Sequence, residues 1–167
     1  KYNADATVLE WSVCYEINSD TFLLYPYPKA DGGFVIGGIY YPGGGFYICK
    51  HDVFGSIVWS HGYSKGNAVY LNGMIACDDG GYMMMGTSNY TDTNVAVHYG
   101  SWDAPDLFVM KLDSLGNKVW SKVIGGTGTD GGYSIITGPG DGCYIVGVTA
   151  SNDYDCTGKH GGREDAY

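Results

Sequence analysis

Apolar and polar positions alternate with a period of two in short runs along this chain, and no segment carries apolar residues at helical spacing. The clearest run begins at Leu107, where Phe108, Met110 and Leu112 would share one face of an extended strand. Gly116 follows in a hairpin loop that favours a positive φ. In the last third of the chain the pattern predicts four strands, over residues 107–113, 118–124, 133–137 and 143–149.

The same pattern recurs along the chain. A Trp is followed about twenty residues later by an Asp-Gly turn, in the pairs Trp11 and Asp31, Trp59 and Asp79, and Trp120 and Asp141. Residues 46–106 and 107–167 align as two complete units of 61 residues, with Gly55 opposite Gly116, and residues 1–45 form an incomplete unit. One extra residue after Trp120 is expected, because the last two Asp-Gly turns lie 62 residues apart. Such a unit buries its apolar face only against a neighbour.

Four antiparallel strands in every unit predict an all-β repeat protein that resembles a β-propeller. Propellers use four to eight blades, whereas this chain carries fewer than three complete units. We therefore expect a partial propeller, or a fragment of a longer protein that other repeats or copies complete. The start at Lys1, without Met, favours the same interpretation.

The composition narrows the function. Net charge is −9, so a basic face for nucleic acid is not expected. No apolar run approaches the roughly 20 residues of a membrane helix. Fifteen of the 18 acids are Asp, which suits turns and also calcium loops. The five cysteines contain no CxxC pair, so zinc is not supported, and buried thiols or one bridge in a secreted protein both stay open.

A family resemblance rests on the string from Asp106 to Asp113, with Gly116, Trp120, Gly125-Gly126 and the hairpin at Asp141. Together these resemble the long Trp and Asp-Gly-Gly-Tyr repeats of large secreted bacterial surface proteins. The resemblance is strong over 107–167, fair over 46–106 and faint over 1–45. It implies a propeller-like fold, export, and adhesion or surface display without catalysis. A weaker similarity to quinoprotein propeller repeats concerns the structural Trp and implies no quinone.

One loop carries a candidate metal site. Asp153 and Asp155, with Asn152 before them and a nearby Gly, place two carboxylates on one side of a tight loop, as calcium requires. The third oxygen and the terminal Glu of an EF-hand loop are missing. A calcium loop and a plain polar loop are both open.

A second loop carries a candidate ligand site. Aromatic rings beside Asp and Asn on loops are typical of sugar-binding surfaces, and equally of packing between blades. The residues concerned are Tyr90, His98, Tyr99, Trp102 and Asp103. Asn89 also begins an Asn-x-Thr glycosylation sequon.

No motif for catalysis is recognised: the four His residues lack metal spacing and no Gly-x-Ser-x-Gly elbow is present. The sequence predicts a secreted or cell-surface structural or adhesive repeat module, with other repeats, copies of itself, glycans or surface proteins as partners. The alternatives are a lectin-like carbohydrate-binding module, a fragment of a propeller hydrolase, and a subunit that assembles into a filament or ring through its strand edges.

Overall fold

A computed structural model describes residues 1, 4–9, 12, 21–40, 44–63, 69–89, 91, 97–158, 160 and 164–166. Trp11 and Tyr90, which the sequence singled out, and Cys14, one of the five cysteines, lie outside these residues. Within them the chain forms eleven β-strands, one short 3-10 turn and no α-helix, which confirms the all-β prediction.

The strands form three antiparallel sheets. Sheet 1 contains β1 (Thr21–Pro28), β2 (Phe34–Tyr40), β3 (Phe46–His51) and β4 (Ile57–Tyr63). Sheet 2 contains β5 (Val69–Ala76), β6 (Tyr82–Ser88), β7 (Asp106–Leu112) and β8 (Lys118–Ile124). Sheet 3 contains β9 (Asp130–Thr137), β10 (Cys143–Thr149) and the short β11 (Asp165–Ala166).

The predicted strands agree with β7, β8 and β10 to within one residue, but β9 begins three residues earlier than expected. Its glycines at 131 and 132 have low strand propensity, yet both pair with β10, opposite Val148 and Gly147. Tertiary pairing therefore overrides propensity at this point. The sheets are also two strands out of phase with the sequence units, since the unit 46–106 supplies two strands to sheet 1 and two to sheet 2.

The three sheets stack face to face with sheet 2 in the middle. We call the face of each sheet that points toward the following sheet its forward face, and the opposite one its backward face. The forward face of sheet 1, with Val35, Phe46 and Ile48, packs on the backward face of sheet 2, with Met84 and Phe108 among others. The forward face of sheet 2 packs in turn on sheet 3, and its residues are Ile75, Met83, Met85, Leu107 and Val109. Both faces of sheet 2 are thus buried, and in the described part of the chain no further sheet covers the forward face of sheet 3 or the backward face of sheet 1.

Methionines of β5 and β6 in sheet 2 pack beside glycines of the neighbouring sheets. A Cβ on Gly37 of sheet 1 would lie 2.7 Å from the sulfur of Met74, and one on Gly132 of sheet 3 would lie 2.5 Å from that of Met85. Long, flexible thioether side chains fill the space that glycines leave between sheets. The sheets therefore approach closely on either side of sheet 2.

We call β1–β2, β5–β6 and β9–β10 the inner hairpins. Those of sheets 1 and 2 have turns of the same geometry. Asp31 and Asp79 accept the backbone N–H of the residue two positions on, at 3.0 and 2.8 Å. Gly32 and Gly80, at φ +81° and +82°, supply the left-handed residue. The pKa of each carboxyl is lowered, first by its bond to a lysine on the same sheet, Lys50 for Asp31 and Lys111 for Asp79, and then by that backbone N–H.

The third inner hairpin departs from the expected alignment. Its closing bond, from the N–H of Gly138 to the oxygen of Gly142, lies 61 residues after the bond from Cys77 to Gly81. No extra residue is therefore inserted, and Asp141 occupies the position of Gly80, with a left-handed φ of 57°. The alignment of Asp141 with Asp31 and Asp79 was wrong by one residue, because the Asp-Gly pair shifted within a loop of constant length.

In the outer hairpins, β3–β4 of sheet 1 and β7–β8 of sheet 2, Gly55 and Gly116 are both left-handed, at φ +87° and +82°. Trp59 of sheet 1 packs on the outer turn of sheet 2, since a Cβ on Gly116 would lie 2.8 Å from its ring. Trp120 is the equivalent residue of sheet 2 and is 41% exposed. The described part of sheet 3 supplies no outer turn to cover it.

Candidate functional site

Several buried polar side chains lie close together where three loops meet beside sheets 2 and 3. We call residues 97–106, 125–130 and 151–156 the loop cluster. The loops are joined by hydrogen bonds and by the rings of Tyr99 and Tyr154, which stack with centroids 4.6 Å apart. The predicted sugar-binding and calcium loops therefore meet in one place.

Asp106, at the start of β7, is completely buried. Its Oδ2 accepts hydrogen bonds from Nδ1 of His98 and from the backbone N–H of Tyr99, both at 2.9 Å. Its Oδ1 is also buried, and among the described residues no group donates a hydrogen bond to it. Burial raises the pKa of this carboxyl, and the nearby charge of Asp130 acts in the same direction.

Asp130, at the start of β9, is the second buried acid. It accepts the N–H of Gly126 at 2.8 Å, the hydroxyl of Ser151 at 2.7 Å and the thiol of Cys156 at 3.6 Å. Gly126 lies in the turn after β8, and Ser151 and Cys156 lie in the loop after β10. Asp130 therefore fastens the turn after β8 to the loop after β10.

Gly125 lies between the two buried acids. A Cβ at this position would lie 2.3 Å from Oδ1 of Asp106 and 2.7 Å from Oδ2 of Asp130. These two oxygens are consequently at most 5.0 Å apart, the sum of the two distances. Only a glycine fits between them, which ties the Gly125-Gly126 pair of the sequence to this arrangement.

Asp153 of the predicted calcium loop has both carboxylate oxygens occupied. They accept the backbone N–H and the hydroxyl of Thr127, each at 2.8 Å. Asp155 contributes its backbone N–H to the oxygen of Gly125 at 3.2 Å. In the described part of the chain no group of three or more His, Cys, Asp or Glu side chains is arranged to hold a metal ion. Calcium at Asn152, Asp153 and Asp155 stays a prediction.

The structure separates the predicted ligand-binding residues. His98 and Tyr99 contact Asp106. Trp102 is 65% exposed, and Asp103 is also exposed and accepts a hydrogen bond from the Ser101 hydroxyl. Asn89, the predicted glycosylation site, is half-buried and donates from Nδ2 to the oxygen of Trp102 at 2.9 Å. Of the ligand-binding candidates that the structure describes, Trp102 and Asp103 thus offer an open surface.

Two pairs of side chains, His98 with Asp106 and Cys49 with His51, resemble catalytic pairs, but the ring nitrogens of both His residues take part in hydrogen bonds within the fold. His98 faces Asp106 with one ring nitrogen and the oxygen of Ser101, at 3.1 Å, with the other, so both nitrogens lie against acceptors. Cys49 lies 3.0 Å from Nε2 of His51, whose Nδ1 donates to the oxygen of Gly55. Burial raises the pKa of the Cys49 thiol to about 12, which keeps it protonated and poorly nucleophilic.

A cavity of about 190 Å³ lies next to the loop cluster, lined among others by Ser151, Cys156, His160 and Asp165. It is smaller than the roughly 300 to 1,000 Å³ of typical ligand pockets.

The sequence missed Asp106, Asp130, Ser151 and Thr127, which build the loop cluster. The signal that could have found the acids is their position at the starts of two strands on either side of Gly125-Gly126. No protein-family model matches the chain, and no curated protein is significantly similar to it. Among the described residues, no helix is long and apolar enough to cross a membrane.

Proposed function

We propose that this chain is a non-catalytic structural repeat module, propeller-like in arrangement, that serves in adhesion or display on an exported or cell-surface protein. The observation that carries the proposal is the repeated contact between sheets. Val35 of sheet 1 and Met83 of sheet 2 occupy the same strand position, and each is buried by the sheet that follows. A chain that uses one contact twice is suited to extension by more sheets of its kind.

The polar residues support this proposal. Asp130 and Asp153 accept hydrogen bonds from backbone and side-chain donors of the loop cluster, mostly across loops, which fixes its shape. The net charge of −9 suits a soluble surface that repels nucleic acid and other acidic polymers.

Adhesion can be measured directly. Beads coated with the chain would be mixed with beads that carry the same chain, with glycan-coated beads and with blank beads. We expect folded protein to hold the coated beads to at least one of the first two partners, and heat-unfolded protein to fail. Absence of adhesion to both partners, or turnover of ester or glycoside substrates by the chain, would contradict the proposed function.

A second candidate function is carbohydrate binding at Trp102. Its exposed indole beside Asp103 offers a flat apolar surface with an adjacent acceptor, and Tyr154 of the same loop cluster is 63% exposed. A glycan array probed with the wild type, with Trp102→Ala and with the control Trp120→Ala tests it. Selective binding lost only in Trp102→Ala would support this function, and an array without selective signal would exclude it.

A further inference from the structure

The forward face of sheet 3 is apolar and exposed. Ile136, Tyr144 and Val146 are 59%, 60% and 61% exposed. They share one face, because Ile136 pairs with Tyr144 and Val146 lies two residues further along β10. Tyr133, at the register shift opposite Val146 and Gly147, adds a ring that is 68% exposed.

The same positions are buried in the sheet before. Ile75, Met83 and Met85 of sheet 2 lie 61 residues earlier and are 8%, 1% and 0% exposed. They are covered by sheet 3, through residues that include Ile135 and Ile145. The internal repeat therefore identifies what covers a forward face, namely the backward face of another sheet of the same kind.

The other end of the stack offers a matching surface. On the backward faces, Pro26 of sheet 1 is equivalent to Met74 and Ile135, and Ile36 is equivalent to Met84 and Ile145. In sheets 2 and 3 these residues are packed against the preceding sheet. In sheet 1 Pro26 is exposed and Ile36 half-buried.

The open parts of the two ends also agree in extent. On the backward face of sheet 1, Tyr47, Cys49 and His51 of β3 are already buried, which leaves the β1–β2 half. Sheet 3 likewise has two long strands, β9 and β10. The exposed surface at each end of the stack is thus two strands wide.

We propose that the forward face of β9 and β10 binds the backward face of β1 and β2 of a second copy of this chain. The inference rests on the proposed function, because it assumes that sheets of this repeat bind one another. The contact is head to tail, so it closes into a ring or continues as a filament according to the angle between copies. It joins faces of sheets, in contrast to the strand-edge pairing that the sequence suggested.

The test is sedimentation equilibrium on the wild type and on single lysine variants. We expect the wild type to associate beyond 17.9 kDa with rising concentration. Val146→Lys spoils the forward face and Pro26→Lys the backward face. Each should weaken association about tenfold or more, as expected when a charge enters the centre of an apolar interface. Val119→Lys, at an exposed valine of β8, is the control and should associate like the wild type.

Mixing the two variants separates this proposal from other dimers. Val146→Lys keeps an intact backward face and Pro26→Lys an intact forward face, so an equimolar mixture should form a 1:1 dimer that neither variant forms alone. A wild type that stays at 17.9 kDa at every concentration would overturn the proposal. Association unaffected by either variant, or a mixture that stays monomeric, would also overturn it. Thermal unfolding of each variant checks that the chain still folds.

These results differ from those that would overturn the proposed function. A monomeric chain whose coated beads still adhere to glycans would refute the contact between copies alone. A chain that associates head to tail but turns over ester or glycoside substrates would refute the non-catalytic function alone.

Discussion

Sheets 2 and 3 carry the same fold element in two environments. Ile75 and Ile136 are the same residue type at equivalent strand positions, yet one is 8% and the other 59% exposed. The difference arises from the presence of a following sheet rather than from strand geometry, because both residues lie in regular antiparallel pairs. Identical local structure can therefore carry very different contributions to stability.

The largest expected effect comes from this matched pair. Ile75→Ala should lower the free energy of unfolding by about 2–5 kcal/mol, because it leaves a cavity between two sheets. Ile136→Ala, at a concentration where the chain is monomeric, should change it by less than about 0.5 kcal/mol. Urea denaturation of both variants measures the difference. Equal losses would mean that the face of sheet 3 is covered in the monomer.

The next largest effect on stability is expected at Asp130, which holds the turn after β8 to the loop after β10. Asp130→Ala should destabilise the chain by about 1.5–3 kcal/mol, since hydrogen bonds to a buried charge are lost and their donors stay buried. Asp103→Ala, at an exposed acid of the same loop cluster, is the control and should have little effect. Denaturation followed by Trp fluorescence compares the two variants. An Asp130→Ala variant as stable as the wild type would show that the contact between these two loops does not need this carboxylate.

The inner turns of the two sheets should respond in opposite directions. Asp141→Gly should stabilise the chain by about 0.5–1 kcal/mol, because glycine adopts the left-handed conformation without the steric cost of a Cβ. Gly80→Asp should destabilise it by about 1 kcal/mol for the same reason. Thermal melts of both variants provide the measurement. A destabilised Asp141→Gly would indicate that the bond from its Oδ1 to the N–H of Asp79, at 3.1 Å, matters more than the backbone conformation.

The smallest expected effect is a pH dependence of the free energy of unfolding, caused by Asp106 in the loop cluster. Burial raises the folded-state pKa of Asp106 above the ordinary 3.8, so the folded state holds this proton to higher pH than the unfolded chain. The contribution of Asp106 to the free energy of unfolding is therefore greatest below about pH 4 and is lost as pH rises through its folded-state pKa. Denaturation at two pH values should show that Asp106→Asn gains stability relative to the wild type as pH rises.

Asp79 provides the control of opposite sign. Its pKa is lowered, chiefly by the hydrogen bond to Lys111. The contribution of Asp79 is present above the ordinary carboxyl pKa of 3.8 and is lost as pH falls through its folded pKa. Asp79→Asn should therefore lose stability relative to the wild type as pH rises. The same pH trend in both variants would show that the two carboxyls do not titrate as their surroundings predict.

Periodicity and turn chemistry carried most of the fold. Alternating residues predicted β7, β8 and β10, and Gly55 and Gly116 marked the outer turns. The phase of the sheets could not be read this way, because a 61-residue period has no natural starting strand. The position of Asp141 was missed because an Asp-Gly pair looks the same in two registers of a loop.

The candidate site was predicted less well. His98 and Tyr99 resembled ligand-binding residues by type, but their contacts with Asp106 depend on strand pairing across the chain. Buried acids such as Asp130 cannot be told from surface acids by sequence alone, because their hydrogen-bond donors, here one backbone N–H and two side chains, are brought close only by folding. Exposure of Ile136 was equally hidden, since its sequence pattern matches that of buried Ile75.

The central claim is that the exposed face of sheet 3 is a binding face for another sheet of this repeat. Iodination of tyrosines at rising protein concentration, read residue by residue by mass spectrometry, tests it most directly. The account predicts that Tyr133 and Tyr144 become protected as copies associate, while Tyr70, which is 54% exposed on sheet 2, reacts at an unchanged rate. Association of the chain with no protection of Tyr133 and Tyr144 would contradict it.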